Sequence, residues 1–468
     1  MDVAARSAMM GGMPVKKLLI KLAVPATIAM MANALYNLVD TIFVAWGAGE
    51  VAIGALSIVF PIQMIVIAIG LMIGIGSASI FSRAYGRNDE ATMKQVVMTA
   101  FMVNTVLSIA FTVLGLIFLE PLLQFFGASA SNIDYARDYM VYILISLAPF
   151  SGAIVLNNLV RAEGRPNVAM ISLLIGALLN IILDPIFIFD FNFYGLRGLN
   201  MGVEGAALAT LIAKSASFIY VFIMIMQKTS ALRLDFRTFH KIDWRLTLET
   251  FTVGFPTFIR NTLGAVLVII INNLINLYAV GDPAIYISIY GVINRLIMFL
   301  LLPGFGLVQG LQPIVGFNFG SEQYDRLKEV LSYAIKLITV YFFITFVMTL
   351  LFADVLFQWF SRDADVFFIE EGARAFRIIA VGFTLIGFQF VMSATYQAMG
   401  YAFRALWLAL LRQFILFIPL AFILTYFFNL RGIWLTFLVS DIVAGVISIG
   451  VYLYERKALE HRLQLSQP

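Results

Sequence analysis

The sequence predicts an all-α polytopic membrane protein: twelve transmembrane helices in two pseudo-symmetric six-helix lobes. Three observations carry that expectation. The 468 residues are 61% hydrophobic and 12% charged, with a mean hydropathy of +0.94, and a soluble domain carries about twice that share of charge. Apolar segments recur along nearly the whole chain, each long enough to cross a hydrocarbon layer of roughly 30 Å as a helix rising about 1.5 Å per residue. They are continuous rather than short and alternating, which excludes a transmembrane barrel. The third observation is an internal repeat.

Taken in order, the spans fall near residues 17–46, 51–81, 93–120, 134–160, 168–190, 203–227, 247–279, 284–315, 329–353, 370–397, 404–428 and 432–454. An even number places both termini on one side, and basic residues say which. The N-terminal arm, every second loop and the C-terminal tail carry 20 Lys and Arg, whereas the opposite loops carry six: Arg137, Arg197, Arg362, Arg374, Arg377 and Arg431. Multi-pass insertion in the cytoplasmic (inner) membrane with both termini cytoplasmic is therefore expected. The opening "MDVAARSAMMGGMPVKK" leads directly into a full-length span, which is expected to act as its own uncleaved signal. Cysteine is absent, so disulfides are excluded. The net charge of +4 reflects the cytoplasmic bias and points to lipid rather than nucleic acid.

The repeat divides the chain. "GLMIGIGSASIFSRAYGRND" (70–89) aligns with "GFGLVQGLQPIVGFNFGSEQ" (304–323), matching Gly70 with Gly304, Gly76 with Gly310 and Gly86 with Gly320. Pro25 has a counterpart in Pro256, and "RAEGR" in "QAMGY". Each half holds an even number of spans, so the halves share one orientation about an axis along the membrane normal. The expected organisation is an N-terminal lobe (1–227), a cytoplasmic linker (228–246) and a C-terminal lobe with its tail (247–468). Pro25 and Pro256 lie inside the first helix of each half and withhold one helical hydrogen bond, which makes Pro25 a candidate hinge.

Intramembrane carboxylates are costly, roughly 2.5 to 3.5 kcal/mol on insertion scales, and need a cavity, a partner or a proton. Asp40 lies six residues before Trp46 and Asp184 six before Asp190, so both sit about 9 Å below the same surface. Thr210 falls at the same level. Tyr36 and Asn37 share a helical face with Asp40, and Asn180 shares one with Asp184. Pro185 frees the Ile181 carbonyl nearby. These hard oxygen ligands could hold a proton between two acids, or a Na⁺ at Asp40, Asn180, Asp184 and Thr210. The second half does not repeat the acids, since Ile271 and Ile418 occupy the aligned positions.

The C-terminal half instead buries Arg260, Arg295, Arg412 and Asp441, and similar depths suggest an Arg295–Asp441 ion pair. Glu204, Glu120 and Asp354 lie near helix ends, where solvation is expected, and Lys214 and Lys336 are placed to snorkel. No GxxxxGK[ST] phosphate loop exists. His240 and His461 are the only histidines and fall outside the spans, so a histidine zinc site or triad within the membrane is excluded. No cofactor and no enzyme chemistry are expected. A secondary transporter driven by an ion gradient remains.

The segments "NALYNLVDTIFVAW" (33–46), "NLVRAEGRPNVAM" (158–170), "LLNIILDPIFIF" (178–189) and "GVEGAALAT" (202–210), together with "VPAT" (24–27), resemble the multidrug and toxic compound extrusion (MATE) family over essentially the whole chain. Within it the chain resembles the DinF-like branch. The NorM-like branch carries acids in its seventh and tenth helices, and the stretches "FPTFIRNTLGAVLVIIINNLINLY" (255–278) and "FRIIAVGFTLIGFQFVMSATYQAMG" (376–400) contain none here. The resemblance implies coupling in the N-lobe, at Asp40, Asp184, Asn180, Thr210 and Tyr36. Candidate substrate-binding residues are Asn33, Asn37, Asn157, Met31 and Met201. It implies antiport of amphipathic, often cationic organic compounds against H⁺ or Na⁺ by alternating access, with no obligate protein partner and a monomeric state. The alternative is a lipid-linked oligosaccharide flippase of a related superfamily, for which Arg260, Arg295 and Arg412 would supply a cationic cavity.

Overall fold

A computed structural model of the chain describes residues 2–128, 132–190, 192–193, 196–234, 243–360 and 366–466. His240 and much of the linker fall outside them. In a hydrocarbon layer each backbone N–H and C=O must be satisfied within its own segment. The described chain accordingly is helical almost throughout, apart from one antiparallel two-residue pairing, Asn192–Phe193 with Leu196–Arg197.

The helices are α1 (Val3–Gly12), α2 (Val15–Gly86), α3 (Glu90–Ile117), α4 (Leu119–Phe125), α5 (Ile133–Ala162), α6 (Pro166–Ile188), α7 (Gly202–Met226), α8 (Trp244–Tyr278), α9 (Pro283–Gly320), α10 (Tyr324–Phe360), α11 (Val366–Ala380), α12 (Phe383–Ala398), α13 (Ala402–Leu410), α14 (Ile418–Phe428) and α15 (Leu430–Ser466). Among the described residues eleven helices are long and apolar enough to span a membrane, and twelve when α11 and α12 count as one span bent by 49°. The first two expected spans lie within one run of helical backbone, α2. The expected tenth span is broken at Gly382. A Cβ there would lie 2.7 Å from Cβ of Asp441, so the missing side chain lets α15 pack against the break.

The repeat seen in sequence appears as reciprocal packing. A Cβ on Gly76 would meet the Thr250 carbonyl oxygen of α8 at 2.0 Å, and one on its counterpart Gly310 would lie 2.5 Å from the Ala23 nitrogen of α2. A Cβ on Gly86 would lie 2.1 Å from the Phe317 carbonyl oxygen, and one on its counterpart Gly320 would lie 2.1 Å from that of Arg83. Each lobe thus presents its second helix, stripped of side chains, to the other lobe. Pro25 is buried in this seam, between Ala23 and Thr27, which touch Gly310 and Gly306. Ser79 donates to the Gln397 carbonyl (2.7 Å), and Arg83 pairs with Glu249 (2.8 Å).

α1, which the sequence reading left as an arm, lies across this seam at the end bearing the basic loops. Its Arg6 pairs with buried Glu163 at 2.8 Å. Arg326 from the other lobe donates to the Met13 carbonyl at 2.8 Å. The apolar core divides accordingly. One large cluster joins the C-lobe to the N-lobe half nearest the basic loops, through residues such as Leu19, Phe81, Leu159 and Phe317. A second cluster, including Val44, Val59, Leu144, Ile188 and Ala206, belongs to the far half of the N-lobe alone.

Candidate functional site

Three helices of the N-lobe meet in its far half, and each contributes a pair of polar residues one turn apart. Small residues bring them close: a Cβ on Gly205 of α7 would sit 2.6 Å from the Phe187 carbonyl oxygen of α6. On α6, Asn180 Nδ2 donates to Asp184 Oδ1 at 3.0 Å and lies 3.4 Å from Thr210 Oγ1 of α7. On α2, Tyr36 and Asp40 share a face. The carboxyl groups of Asp40 and Asp184 lie within hydrogen-bond reach of each other. Asp184 is fully buried and Asp40 partly so.

Two ionised carboxylates can only accept, and the geometry shows the consequence. Asp40 Oδ1, Asp184 Oδ2 and Asn180 Oδ1 are all buried without a hydrogen-bond donor among the described residues. A proton on either acid would supply the donor that the pair lacks.

The sequence reading did not include Lys214 in this group, and its expected snorkelling is corrected. Lys214 Nζ donates to the Tyr36 hydroxyl at 2.5 Å and sits 4.4 Å and 4.8 Å from the ring centres of Tyr36 and Phe150. It is close enough to Asp40 for their charges to interact. The signal was present, since Lys214 follows Thr210 by one helical turn at the middle of α7, but the long stem of a lysine also permits snorkelling. Tyr139 was also missed. It is buried near Asp40, within hydrogen-bond reach of Gln63. Lys336 is exposed.

The candidate substrate-binding residues are less gathered. Asn37 is exposed and donates to the Asn33 carbonyl at 2.7 Å, while Met31 is exposed and Met201 half-buried at the start of α7. Asn157 is buried toward the basic end. Its Nδ2 donates to Ser172 Oγ at 3.3 Å, and Ser172 in turn bonds Ser217 at 2.9 Å, so Asn157 joins a polar column between α5, α6 and α7. No cluster of three or more His, Cys, Asp or Glu side chains suited to a metal occurs among the described residues.

Several other charges are paired. The expected Arg295–Asp441 contact is replaced: Asp441 Oδ1 accepts from Arg412 at 2.9 Å, and Arg295 is exposed. Depth along a helix fixes height but not direction, and Arg412 belongs to a π-helical turn, Leu411–Phe417, which shifts the helical phase. Glu120 and Asp354, expected to be solvated near helix ends, keep exposed side chains and also pair with Arg137 and Arg377, while Glu204 accepts from Tyr142.

Comparison with known proteins gives a consistent picture. The MatE family model matches residues 25–186 and 256–423, one stretch in each half. "Multidrug export protein MepA" of Staphylococcus saprophyticus is 26% identical over 94% of this chain and 94% of that protein. The MepA of Staphylococcus haemolyticus is 27% identical over 93% of this chain and 92% of its own length. Among solved structures, one described as the outward-facing conformation of a multidrug resistance MATE family transporter of the MOP superfamily superimposes with a TM-score of 0.88. It is 24% identical and covers 97% of this chain and 98% of that one. A MATE in a bent conformation gives a TM-score of 0.87 at 24% identity over 97% and 98% of the two chains.

Proposed function

The chain belongs to the MATE family, and from that premise we propose that this multi-pass membrane transporter is a secondary active multidrug efflux antiporter. It exports amphipathic, often cationic organic compounds in exchange for protons by alternating access. The observation that carries the coupling is the Asp40–Asp184 pair, two carboxyl groups within hydrogen-bond reach whose orphaned oxygens lack a donor.

The cycle follows from charge. With both acids ionised, the cluster has one negative charge more than Lys214 cancels, and it holds an organic cation. Two like charges this close favour sharing a proton. Protonation from outside removes the electrostatic hold and releases the cation. Coupling needs only that proton and substrate exclude each other at this site while each favours a different lobe arrangement. Pro25, seated in the lobe seam, is the hinge for that exchange. Asn33, Asn37, Met31 and Met201 supply adaptable polar and apolar contacts to flat cations, and Asn157 extends the polar column below.

With the basic loops cytoplasmic, the glycine seam and α1 close the cytoplasmic end, and the far halves of the lobes part toward the outside. On this reading the conformation is outward-facing and both termini are cytoplasmic. The site lies wholly within one chain, which supports a monomer as the working unit. N-lobe coupling is what the DinF-like resemblance implies. A flippase is not favoured, since similarity runs to multidrug export proteins and MATE transporters. Sodium is the second reading. The three orphaned oxygens are hard ligands, and Asn180 and Thr210 stand beside them, but the Lys214 ammonium beside Asp40 disfavours a second cation.

The test is efflux of a fluorescent organic cation from proteoliposomes under an imposed pH gradient, with and without Na⁺. Wild-type flux driven by the pH gradient alone, lost in Asp40→Asn, is expected. Flux that requires Na⁺ moves the assignment to a metal ion, and flux that survives Asp40→Asn removes Asp40 from coupling.

A further inference from the structure

The seam between the lobes holds a small cavity whose walls obey the repeat. Ala78 and Ser79 of α2 line it together with Gln312 and Pro313 of α9, the residues that the glycine repeat aligns with them. Ala162 at the end of α5 and Ala398 at the end of α12 line it too, and "RAEGR" and "QAMGY" match that pair. Residues that correspond under a two-fold relation can share one small cavity only where the relating axis passes. The cavity therefore lies on the axis between the lobes. Its volume of about 20 Å³ accommodates one water-sized guest, for which about 10–15 Å³ suffices.

One charge breaks the symmetry of this cavity. Arg161 lines it and is 8% exposed, while the repeat counterpart of Arg161 is neutral Gln397. Gln397 is fully engaged in the seam: its Nε2 donates to the Val253 carbonyl and to Thr257 Oγ1, both at 2.9 Å, and its Oε1 accepts from Gln312 at 3.3 Å. Arg161 is not. It carries five N–H donors, and among the described residues Asn158 Oδ1, at 3.1 Å, is the one acceptor that meets them. The acid nearest in sequence, Glu163, is committed to Arg6 at 2.8 Å and to the Ala231 N–H at 2.7 Å. A guanidinium this buried is costly without a counter-charge, and a space for one small guest lies against it.

We propose that this cavity on the lobe axis is a binding site for a small monovalent inorganic anion such as chloride, held by the Arg161 guanidinium, and that the bound anion favours the closed seam. One negative charge balances the one guanidinium. A halide is close to a water molecule in size, whereas a sulfate, a phosphate or a lipid headgroup exceeds the space. The walls come from both lobes, so the site is complete only while α2 and α5 stand against α9 and α12. An anion that binds the closed seam better than the parted one shifts the lobes toward closure by that difference in affinity. Neither clause depends on what the chain transports.

The test uses the purified full-length protein at constant ionic strength, with chloride replacing gluconate. Wild type should show a saturable rise in unfolding temperature of about 1–3 °C, half of it reached below about 100 mM chloride. Bromide should act as chloride does, and sulfate should not. Arg161→Gln places in the N-lobe the residue type that the C-lobe carries at the matching position, and should lose the rise. Arg161→Lys keeps the charge but not the planar fork, and should need about three-fold to ten-fold more chloride for half the rise. No rise in wild type, an unchanged rise in Arg161→Gln, or an equal rise with sulfate overturns the site. If Arg161→Gln does not fold, Arg161→Lys decides: a shifted midpoint supports the site and an unchanged one overturns it. The seam clause is read from the distance between spin labels at Ala91→Cys and Asp325→Cys, exposed positions related by the repeat, one on each lobe. Chloride should enrich the shorter distance about three-fold in wild type and leave the distribution of Arg161→Gln unchanged. A wild-type distribution indifferent to chloride, or an equal response in Arg161→Gln, refutes the seam clause, and the temperature titration still decides the site.

Discussion

The N-lobe and the C-lobe are built from one repeated plan, yet they place their intramembrane charges at different positions along it and satisfy them differently. In the N-lobe two acids face each other with oxygens left unsatisfied, and in the C-lobe the acid is bonded and a base is left over. The seam between them kept its symmetry, with glycines answering glycines in both directions. The difference teaches where constraint lies in such a fold. Close helix packing at the seam admits no side chain at the matched glycines of either half, whereas the positions of Asp40 and Asp184 are filled by Ile271 and Ile418 in the other half.

The sharpest way to break this comparison is to neutralise one acid in each lobe. Asp184→Asn should reduce gradient-driven efflux by about one-hundred-fold or more, because removal of a coupling charge eliminates the exchange rather than slowing it. It should leave thermal stability unchanged or raised, since it relieves like charges. Asp441→Asn should do the reverse to stability. It leaves half-buried Arg412 without its partner, a loss of up to about 3 kcal/mol, read as a lower unfolding temperature in detergent. Equal stability effects in the two lobes would contradict the functional division.

The seam can be wedged next. Gly320→Leu puts a side chain where a Cβ already comes within 2.1 Å of the Arg83 carbonyl oxygen, and Gly86→Leu is its mirror. Both should hold the basic end open. The chain contains no cysteine, so a single cysteine placed at Ser82, beside Gly316, reports the change as about ten-fold faster labelling by a membrane-impermeant reagent from the cytoplasmic side. Similar rates in both wedged variants would confirm that the seam is symmetric, and unchanged labelling would show that it is not the gate.

A smaller effect sharpens the N-lobe account. Lys214→Gln removes the one cation beside Asp40 and should tighten binding of an organic cation by about three-fold to ten-fold, measured by equilibrium titration. Weaker binding would mean that Lys214 orders the site through Tyr36 instead. The smallest effect lies outside the membrane. Asp89 caps α3, accepting from the Thr92 hydroxyl at 2.6 Å and from Thr92 N at 3.0 Å, and these bonds, the hydroxyl's first, lower its carboxyl pKa. The aligned C-lobe residue, Gln323, leaves its Oε1 unpartnered. Asp89→Ala should cost about 1 kcal/mol, while Gln323→Ala costs less. Because folding depresses the Asp89 pKa, its contribution is present above the unfolded-state value of about 4 and is lost as pH falls below it.

Much of this was legible in the sequence because the bilayer imposes a ruler. Counting residues from Trp46 and from Asp190 put Asp40 and Asp184 at one depth, and the structure brings their carboxyl groups within reach of each other. The glycine repeat located the seam. Direction around a helix was harder. Arg295 and Asp441 share a depth but not a face, and the π turn at Leu411–Phe417 redirects Arg412 in a way that no 3.6-residue count anticipates. Lys214 was missed for a different reason: midway along α7 a lysine can either snorkel along its stem or pair within the bundle, and sequence does not choose between them. The bend at Gly382 depends on how closely α15 approaches, which only packing determines.

The central claim is that one site in the N-lobe exchanges a proton for a substrate cation. The most direct measurement is proton release on substrate binding, followed with a pH indicator in weakly buffered solutions of purified protein between about pH 5 and about pH 8. Wild type should release up to about one proton per cation bound, with the release vanishing in Asp40→Asn and in Asp184→Asn. Cation binding to wild type with no proton released anywhere in that range, or with the same release from the variants, would contradict it.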